Sequence, residues 1–339
     1  MTSAHAADAA VADRGAAGAA PSGALLDAPV LAHVVRGGFV ESVHHGSLVA
    51  LAADGTPEIA LGSATGPVFP RSSNKPLQAL AMVRNGLRLE PELLALACSS
   101  HSGEDFHLDG VRRILAGAGL TEAALQNTPD WPYDALEQDH WRRERREKSS
   151  IAQNCSGKHA AMLATCVLNG WDTVTYRSSD HPLQQAMAAT LEELAGEPVA
   201  ATAVDGCGAP VMAISLTGLA RAFGRLASAE DGTHERAVAD AIRTHPAYLG
   251  GTRRDVTALV RGTPGLIAKD GAEAVYAVGL ADGRGIALKV ADGGQRARPV
   301  IVAAALRRLG VESDALAELE NAPVLGHGEP VGAVVAVGI

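Results

Sequence analysis

Strand-like patterns lie at both ends of this 339-residue chain, and helical patterns lie between them. From about residue 30 to 61, and again after residue 263, apolar residues alternate between Gly-Gly, Asp-Gly and Gly-Asp turns. The segment from about 72 to 260 has helical spacing instead, including helices near 211–226 and 232–245. This order predicts an α+β fold: one antiparallel sheet built from both chain ends, with a helical region inserted.

The chain is predicted to be a single domain over residues 30–339, preceded by an Ala-rich flexible tail over residues 1–29. The tail has neither the basic start nor the apolar stretch of a signal peptide, so we expect a cytoplasmic protein. No apolar run approaches the roughly 18 residues of a membrane span, which predicts no membrane partner. A net charge of −9 argues against nucleic acid. The basic run RRERREK at 142–148 is interpreted as a solvated helix face.

The stretch FPRSSNKPLQAL places a serine and a lysine at the start of a predicted helix. Ser72 and Lys75 are spaced i, i+3, so they share a face on a helical first turn. Pro76 is tolerated only in that first turn, which supports the placement. In Ser-x-x-Lys enzymes the amine takes the proton of the attacking hydroxyl. The pattern alone also fits a helix cap followed by a solvated lysine.

Two further segments contain polar residues of the same chemistry. The loop CSSHSGE contains Ser99, Ser100 and Ser102, of which Ser102 could equally be the N-cap of a helix starting at 104. The segment AKDG contains Lys269, which by itself indicates only a lysine before a turn. Ser-x-x-Lys on a first helix, a serine loop and Lys-x-Gly on a late strand occur in the order found in penicillin-recognising serine enzymes.

A fourth group joins NCSGKHAA to DGCGAP. Cys155 and Lys158 are spaced i, i+3, and Cys207 lies on a separate Gly-flanked turn. Two thiolates can hold zinc and leave a position open for water or substrate. A buried cysteine beside a solvated lysine is the alternative, and Cys155 with His159 at i, i+4 could instead form a cysteine nucleophile. With four long-spaced cysteines, free thiols or metal ligands are expected rather than disulfides.

Taken together, the motifs RGGFVESVHHG, RSSNKPLQAL, CSSHSGED, NCSGKHAAML, DHP, DGCGAP and AKDGAE resemble the asparaginase II family of thermolabile, rhizobial-type L-asparaginases. The resemblance covers roughly residues 30–339. It implies a fold like that of serine β-lactamases and penicillin-binding proteins. It also implies hydrolysis of L-asparagine to L-aspartate and ammonia, a homodimer, and one zinc ion per subunit beside the catalytic pocket.

The resemblance assigns roles to positions of this sequence. Ser72 corresponds to the nucleophile and Lys75 to its base, and Ser100 with Lys269 corresponds to a second Ser-Lys pair. The implied zinc ligands are Cys155, Lys158 and Cys207, with water in the fourth position. Arg71, His159 and Asp205 match positions that border the pocket. Asn154 departs from the pattern at a variable position, and the neighbouring Ser99 and Ser100 leave open which serine relays the proton.

The expected chemistry is a Ser-Lys acyl-enzyme reaction on a free amino acid. Because a free lysine is protonated at neutral pH, burial and a second cation at Lys269 are expected to favour the neutral amine of Lys75. Charge complementarity suggests Asp205 for the α-ammonium group and Arg71 for the α-carboxylate. Two alternatives remain: a related serine amidohydrolase acting on peptides or β-lactams, and a catalytically silent zinc-binding relative.

Overall fold

The computed structural model describes Leu25 and residues 27–339. The predicted flexible tail therefore falls almost entirely outside the described residues.

The two chain ends build one antiparallel sheet, as the sequence pattern predicts. In the described part of the chain it has eight strands in the order β10-β11-β1-β2-β9-β8-β7, with β3 paired to β2. The register places β1 between β2 and β11, so that Val34 lies opposite Ser42 and Val334. The strands are β1 Val30–Arg36, β2 Phe39–Leu51, β3 Pro57–Leu61, β7 Ile267–Asp270, β8 Val275–Gly279, β9 Gly285–Val290, β10 Pro323–Gly326 and β11 Glu329–Ala336.

The middle of the chain is mainly helical. A 3-10 turn, Arg71–Asn74, leads directly into the first helix. The helices are α1 Lys75–Arg84, α2 Pro91–Ala97, α3 Asp105–Gly117, α4 Ala135–Arg143, α5 Ser156–Leu168, α6 Pro182–Ala195, α7 Leu216–Ala227, α8 His234–Thr244, α9 Pro246–Leu249, α10 Asp255–Gly262, α11 Arg298–Arg308 and α12 Asp314–Glu320. No helix among the described residues is long and apolar enough to span a membrane.

Small residues let helix α7 approach the sheet closely. A Cβ on Gly285 would lie 1.9 Å from the carbonyl oxygen of Ala220, and one on Gly279 would lie 2.1 Å from that of Phe223. Neither strand position can therefore accept a side chain without moving the helix. This contact brings the buried face of α7 against β8 and β9 and forms part of the core between sheet and helices.

Two predictions about the middle of the chain were wrong. The segment predicted as a helix from 211 begins as a strand, because Pro210–Ser215 (β6) pairs with Ala201–Val204 (β5) and with Pro67–Val68 (β4). The helix starts only at Leu216, where the Ser215 side chain accepts a hydrogen bond from the Gly218 N–H. Helix α4 ends at Arg143, so most of the basic run 142–148 is exposed but not helical.

Candidate active site

Ser72 lies in a constrained turn immediately before α1. The preceding residue, Arg71, has φ = 51°, in the left-handed region that residues other than glycine rarely adopt. Ser73 anchors the turn, since its N–H and its hydroxyl both donate to the Pro70 carbonyl, at 3.1 and 2.6 Å. Ser72 itself is partly exposed. The turn therefore presents the Ser72 hydroxyl at the start of a helix.

The Lys75 amine is buried and has three partners. Its Nζ donates to the Ser99 carbonyl at 2.5 Å, to Ser100 Oγ at 3.1 Å and to Cys155 Sγ at 3.2 Å. Within the described residues, no hydrogen bond joins Lys75 Nζ to Ser72 Oγ. The lysine therefore points into the protein beside the Ser72 turn, with Ser100 as its hydroxyl partner.

The three serines of the CSSHSGE loop have different environments. Ser99 Oγ is buried and has no hydrogen-bond partner among the described residues. Ser102 Oγ donates to the Gly250 carbonyl at 3.0 Å and caps no helix, so its N-cap interpretation was wrong. Only the hydroxyl of Ser100 contacts Lys75. Ser100 is therefore the serine best placed to exchange a proton with that lysine.

Lys269 lies on β7 and is completely buried. Its Nζ donates to Asp270 Oδ1 at 2.5 Å and to the Asp270 carbonyl at 2.7 Å. Burial lowers the pKa of Lys269 to about 8, against the opposing effect of the Asp270 carboxylate. Among the described residues, no hydrogen bond joins Lys269 to Ser100, so the two members of the predicted second pair are not in direct contact.

The three residues predicted to bind zinc lie together. Cys155 immediately precedes α5 and Lys158 lies in its first turn. Cys207 comes from the turn between β5 and β6, where Lys158 Nζ donates to its Sγ at 3.4 Å. The Cys155 thiol donates to Asn154 Oδ1 at 3.2 Å, and the interaction between the two cysteine side chains lowers the pKa of Cys207 and raises that of Cys155. Two sulfurs and one amine, all buried, form a donor set that suits zinc.

No group of three or more His, Cys, Asp or Glu side chains able to hold a metal occurs within residues 27–339. A third protein ligand at the two cysteines would therefore be the Lys158 amine. Burial alone would lower the pKa of Lys158, but the neighbouring sulfurs of Cys207 and Cys155 raise it. A metal bound there would have to displace the lysine proton.

Arg71 and Asp205, predicted to bind opposite ends of a substrate, form an ion pair with each other. Both Arg71 Nε and Nη2 lie 2.8 Å from Asp205 Oδ1, which also accepts the Gly206 N–H. These bonds all use Oδ1 and do not engage Oδ2. Although burial raises the pKa of Asp205, Lys158 and Arg71 lower it further, so the carboxylate is charged.

His159 follows Lys158 on α5 and is buried. Its Nδ1 is 2.7 Å from the Tyr176 hydroxyl, and its Nε2 has no partner among the described residues. Burial holds the pKa of His159 well below its ordinary value, so the ring is neutral. His159 thus lies next to the cysteine cluster, on the side of α5 that faces Tyr176.

Three charged residues at this site were missed from the sequence. Asp270, interpreted as part of a turn, is a buried carboxylate that contacts Lys269, Arg254 and Arg298. Arg254 also donates to the Ser100 carbonyl at 3.3 Å. An Asp directly after a candidate catalytic lysine was the available signal for Asp270, whereas no local pattern marks the two arginines.

A family model described as L-asparaginase II matches residues 32–336. No curated protein sequence gives a match.

Three solved structures are similar at low identity. One titled Mglu in its native form has 13% identity and a TM-score of 0.41, covering 78% of this chain and 63% of that one. A β-lactamase from Mycobacterium bovis has 15% identity and a TM-score of 0.41, covering 77% and 94%. A Bacillus glutaminase has 13% identity and a TM-score of 0.44, covering 78% and 91%.

The family match spans nearly the whole described chain and includes every residue placed in the site above. The chain belongs to the L-asparaginase II family.

Proposed function

We propose that this protein is an L-asparaginase that hydrolyses L-asparagine to L-aspartate and ammonia through an acyl-enzyme on Ser72. The observation that supports it most directly is the buried Lys75 amine. It lies one turn after Ser72 and is hydrogen-bonded to a second serine, Ser100. Family membership points to an amide as the substrate class.

In the first step, Ser72 Oγ attacks the carboxamide carbon and its proton passes to the Lys75 amine, the proposed general base. A bond forms between Ser72 Oγ and the carbon while the carbonyl oxygen becomes an oxyanion, which the Ser72 N–H at the helix start can stabilise. The proton then moves from Lys75 to Ser100 at 3.1 Å and on to the leaving nitrogen. The C–N bond breaks, and ammonia leaves an aspartyl ester on Ser72.

In the second step, water attacks the ester and the same groups act in reverse. Lys75, with Ser100, takes the proton of the water, and Ser72 leaves as the restored hydroxyl. Lys269 supplies a second amine that can hold a proton at this site, because its pKa of about 8 leaves it protonated at neutral pH. Aspartate and the free enzyme are the products.

Selectivity for a free amino acid is assigned to Arg71 and Asp205. On binding, the α-carboxylate would share the Arg71 guanidinium, and the α-ammonium would contact Asp205 Oδ2, which the ion pair does not use. Cys155, Lys158 and Cys207 would hold a zinc ion, and its positive charge would help to fix this part of the pocket. A homodimer in the cytoplasm with one zinc per subunit completes the proposal.

Ammonia release from asparagine and from glutamine, with and without added zinc, tests the proposed function. The wild type is expected to release ammonia from asparagine, and Ser72→Ala is expected to lose on the order of 10⁴-fold or more of that rate. Circular dichroism checks that the variant is folded. Full activity in folded Ser72→Ala rejects the nucleophile, and cleavage of nitrocefin in place of asparagine rejects the substrate.

A further inference from the structure

Five charged side chains form a cluster beside the segments that carry the candidate catalytic serines, and three of the five are buried. Asp270 accepts from Lys269 and Arg254, and Arg298 lies 3.7 Å from the same carboxylate and 3.1 Å from Asp255. Lys269, Asp270 and Arg298 are at most 5% exposed and Arg254 is 10% exposed. Burying charges costs several kcal/mol each unless they are paired, so a cluster of this size requires an explanation.

Arg254 connects two of the segments that carry the site. Its Nη2 donates to Asp270 Oδ2 at 2.5 Å, and its Nη1 donates to the Ser100 carbonyl at 3.3 Å. One planar guanidinium therefore holds the serine loop against the end of β7. The Tyr133 ring covers the guanidinium at 4.5 Å and limits its movement.

Asp270 fixes the amine of the preceding residue. Lys269 Nζ donates to both a carboxylate oxygen and the carbonyl of Asp270. The other carboxylate oxygen is taken by Arg254, so the carboxylate cannot rotate away without breaking two ion pairs. The position of the Lys269 amine thus depends on Arg254 as well as on Asp270.

The same strand end supports the turn that carries Ser72. A Cβ on Gly271 would lie 2.7 Å from the Pro70 carbonyl and 3.2 Å from the Ser73 N–H, so only glycine allows this close approach. Arg298 Nη1 donates to the Gly271 carbonyl at 3.3 Å. The Ser72 turn, the Ser100 loop and the strand that carries Lys269 therefore meet at the charged cluster.

The charges of the cluster do not balance when every member is ionised. Arg254 and Arg298 are always cationic and are matched by Asp255 and Asp270, which leaves the Lys269 ammonium as the extra positive charge. The other groups facing the Lys269 amine are Lys75 of α1 and the Cys98 thiol, whose pKa burial raises to about 12. Lys269 is accordingly the member whose protonation can change near neutral pH.

We propose that Arg254 and Asp270 are positioning residues for the reaction, which hold the Ser100 loop against β7 and keep Lys269 in place as a proton donor. This inference rests on the proposed function. It assigns no contact with substrate to either residue. Asp270 favours the ammonium form of Lys269, and Arg254 opposes it by sharing the carboxylate and adding a second positive charge.

Opposite shifts of the pH–rate profile test the proposal. The alkaline limb of the kcat–pH profile is the fall in kcat at the pH where Lys269, as proton donor, loses its proton. Asp270→Asn removes the anionic partner of Lys269, so this limb should move to lower pH by about 1 unit or more. Arg254→Gln removes a neighbouring cation and leaves the carboxylate to Lys269, so the limb should move to higher pH. A merely structural role lowers kcat at every pH and moves neither limb.

Arg253→Gln is the matched control, because this adjacent arginine is 41% exposed and pairs with Asp134 and Glu137 at the surface. Its profile should match that of the wild type. Asp270→Glu keeps the carboxylate and should leave the limb within about half a unit of wild type. If Asp270→Asn does not fold, the shift of Arg254→Gln to higher pH decides the test. Shifts of Asp270→Asn and Arg254→Gln in the same direction, or no shift in Arg254→Gln, overturn the proposal.

A second readout separates this proposal from the proposed substrate. NMR titration of the Lys269 amine in protein with isotope-labelled lysines, with its signal assigned by Lys269→Met, requires no amide substrate. If the wild type releases no ammonia from asparagine but this titration shows the opposite shifts in Asp270→Asn and Arg254→Gln, the substrate is wrong and the positioning roles are right. If ammonia is released and neither readout shifts, the positioning roles are wrong.

Discussion

The two buried lysines of the site differ in what surrounds them. Lys75 is held by a carbonyl, a serine hydroxyl and a cysteine sulfur, none of which is a carboxylate. Lys269 is held by a carboxylate that is itself fixed by two arginines. Lys75 contacts a serine hydroxyl directly, whereas the partners of Lys269 both belong to Asp270, so only Lys75 is placed to exchange a proton with a serine. The comparison indicates different roles for two residues of the same type.

The largest expected effect comes from removing the amine that contacts Ser100. Lys75→Met keeps a side chain of similar length in the buried position but cannot accept the proton of Ser72. We expect kcat to fall by about 10²- to 10⁴-fold, the usual contribution of a general base. Steady-state ammonia release measures this loss. An equal loss in Lys269→Met and Lys75→Met would contradict the division of roles between the two lysines.

A smaller loss is expected when the strand end that carries Lys269 is pushed away from Ser72. Gly271→Ala introduces a Cβ 2.7 Å from the Pro70 carbonyl, which forces the turn or β7 to move. Overpacking of this kind costs about 1–3 kcal/mol of stability. Denaturant unfolding and kcat should both decrease. Gly117→Ala, where a Cβ would meet no atom within 4 Å, is the control and should lower neither.

The buried charge of Lys269 should also make the stability of the protein depend on pH. The pKa of Lys269 is lowered from 10.5 to about 8, so its charge opposes folding fully below pH 8, and the penalty disappears as the pH rises from 8 to 10.5. Lys269→Met should therefore be more stable than wild type at pH 7 by on the order of 1–3 kcal/mol. That difference should shrink with rising pH. A difference that is constant from pH 7 to 10 would show that burial does not penalise this charge.

Removing a sulfur from the cysteine pair beside Lys75 is expected to change the behaviour of the two lysines least. Cys207→Ser removes one of two sulfurs and should abolish zinc binding, measured by metal analysis of the purified protein. Cys166→Ser is the control, since Cys166 lies near the end of the helix that Cys155 precedes, and the charge acting on its thiol is that of Asp172 rather than that of Lys158. Undiminished zinc in Cys207→Ser would remove this residue from the site.

Local sequence patterns identified the surroundings of Lys75 far better than those of Lys269. The i, i+3 spacing of Ser72 and Lys75, with Pro76 behind them, placed both at a helix start, and α1 begins at Lys75. The alternation at both chain ends likewise predicted the shared sheet. These features depend on residues a few positions apart, where spacing and turn chemistry are informative.

The environment of Lys269 depends on contacts that no local pattern reveals. Arg254 is 154 positions from Ser100 and 16 from Asp270, so only the fold brings the three together. The β5–β6 hairpin was missed for a similar reason, because the buried run Pro210–Ser215 is too short to separate strand from helix by period alone. That hairpin places Cys207 and Asp205 at the site.

Mapping the acyl-enzyme tests the role of Lys75 most directly. Wild-type protein mixed with asparagine, quenched in acid within one turnover and digested, should yield a peptide with an aspartyl ester on Ser72. Lys75→Met, folded by circular dichroism, should yield no such peptide on that time scale. An ester on Ser100 or Cys155, or an undiminished ester on Ser72 in Lys75→Met, would contradict the account.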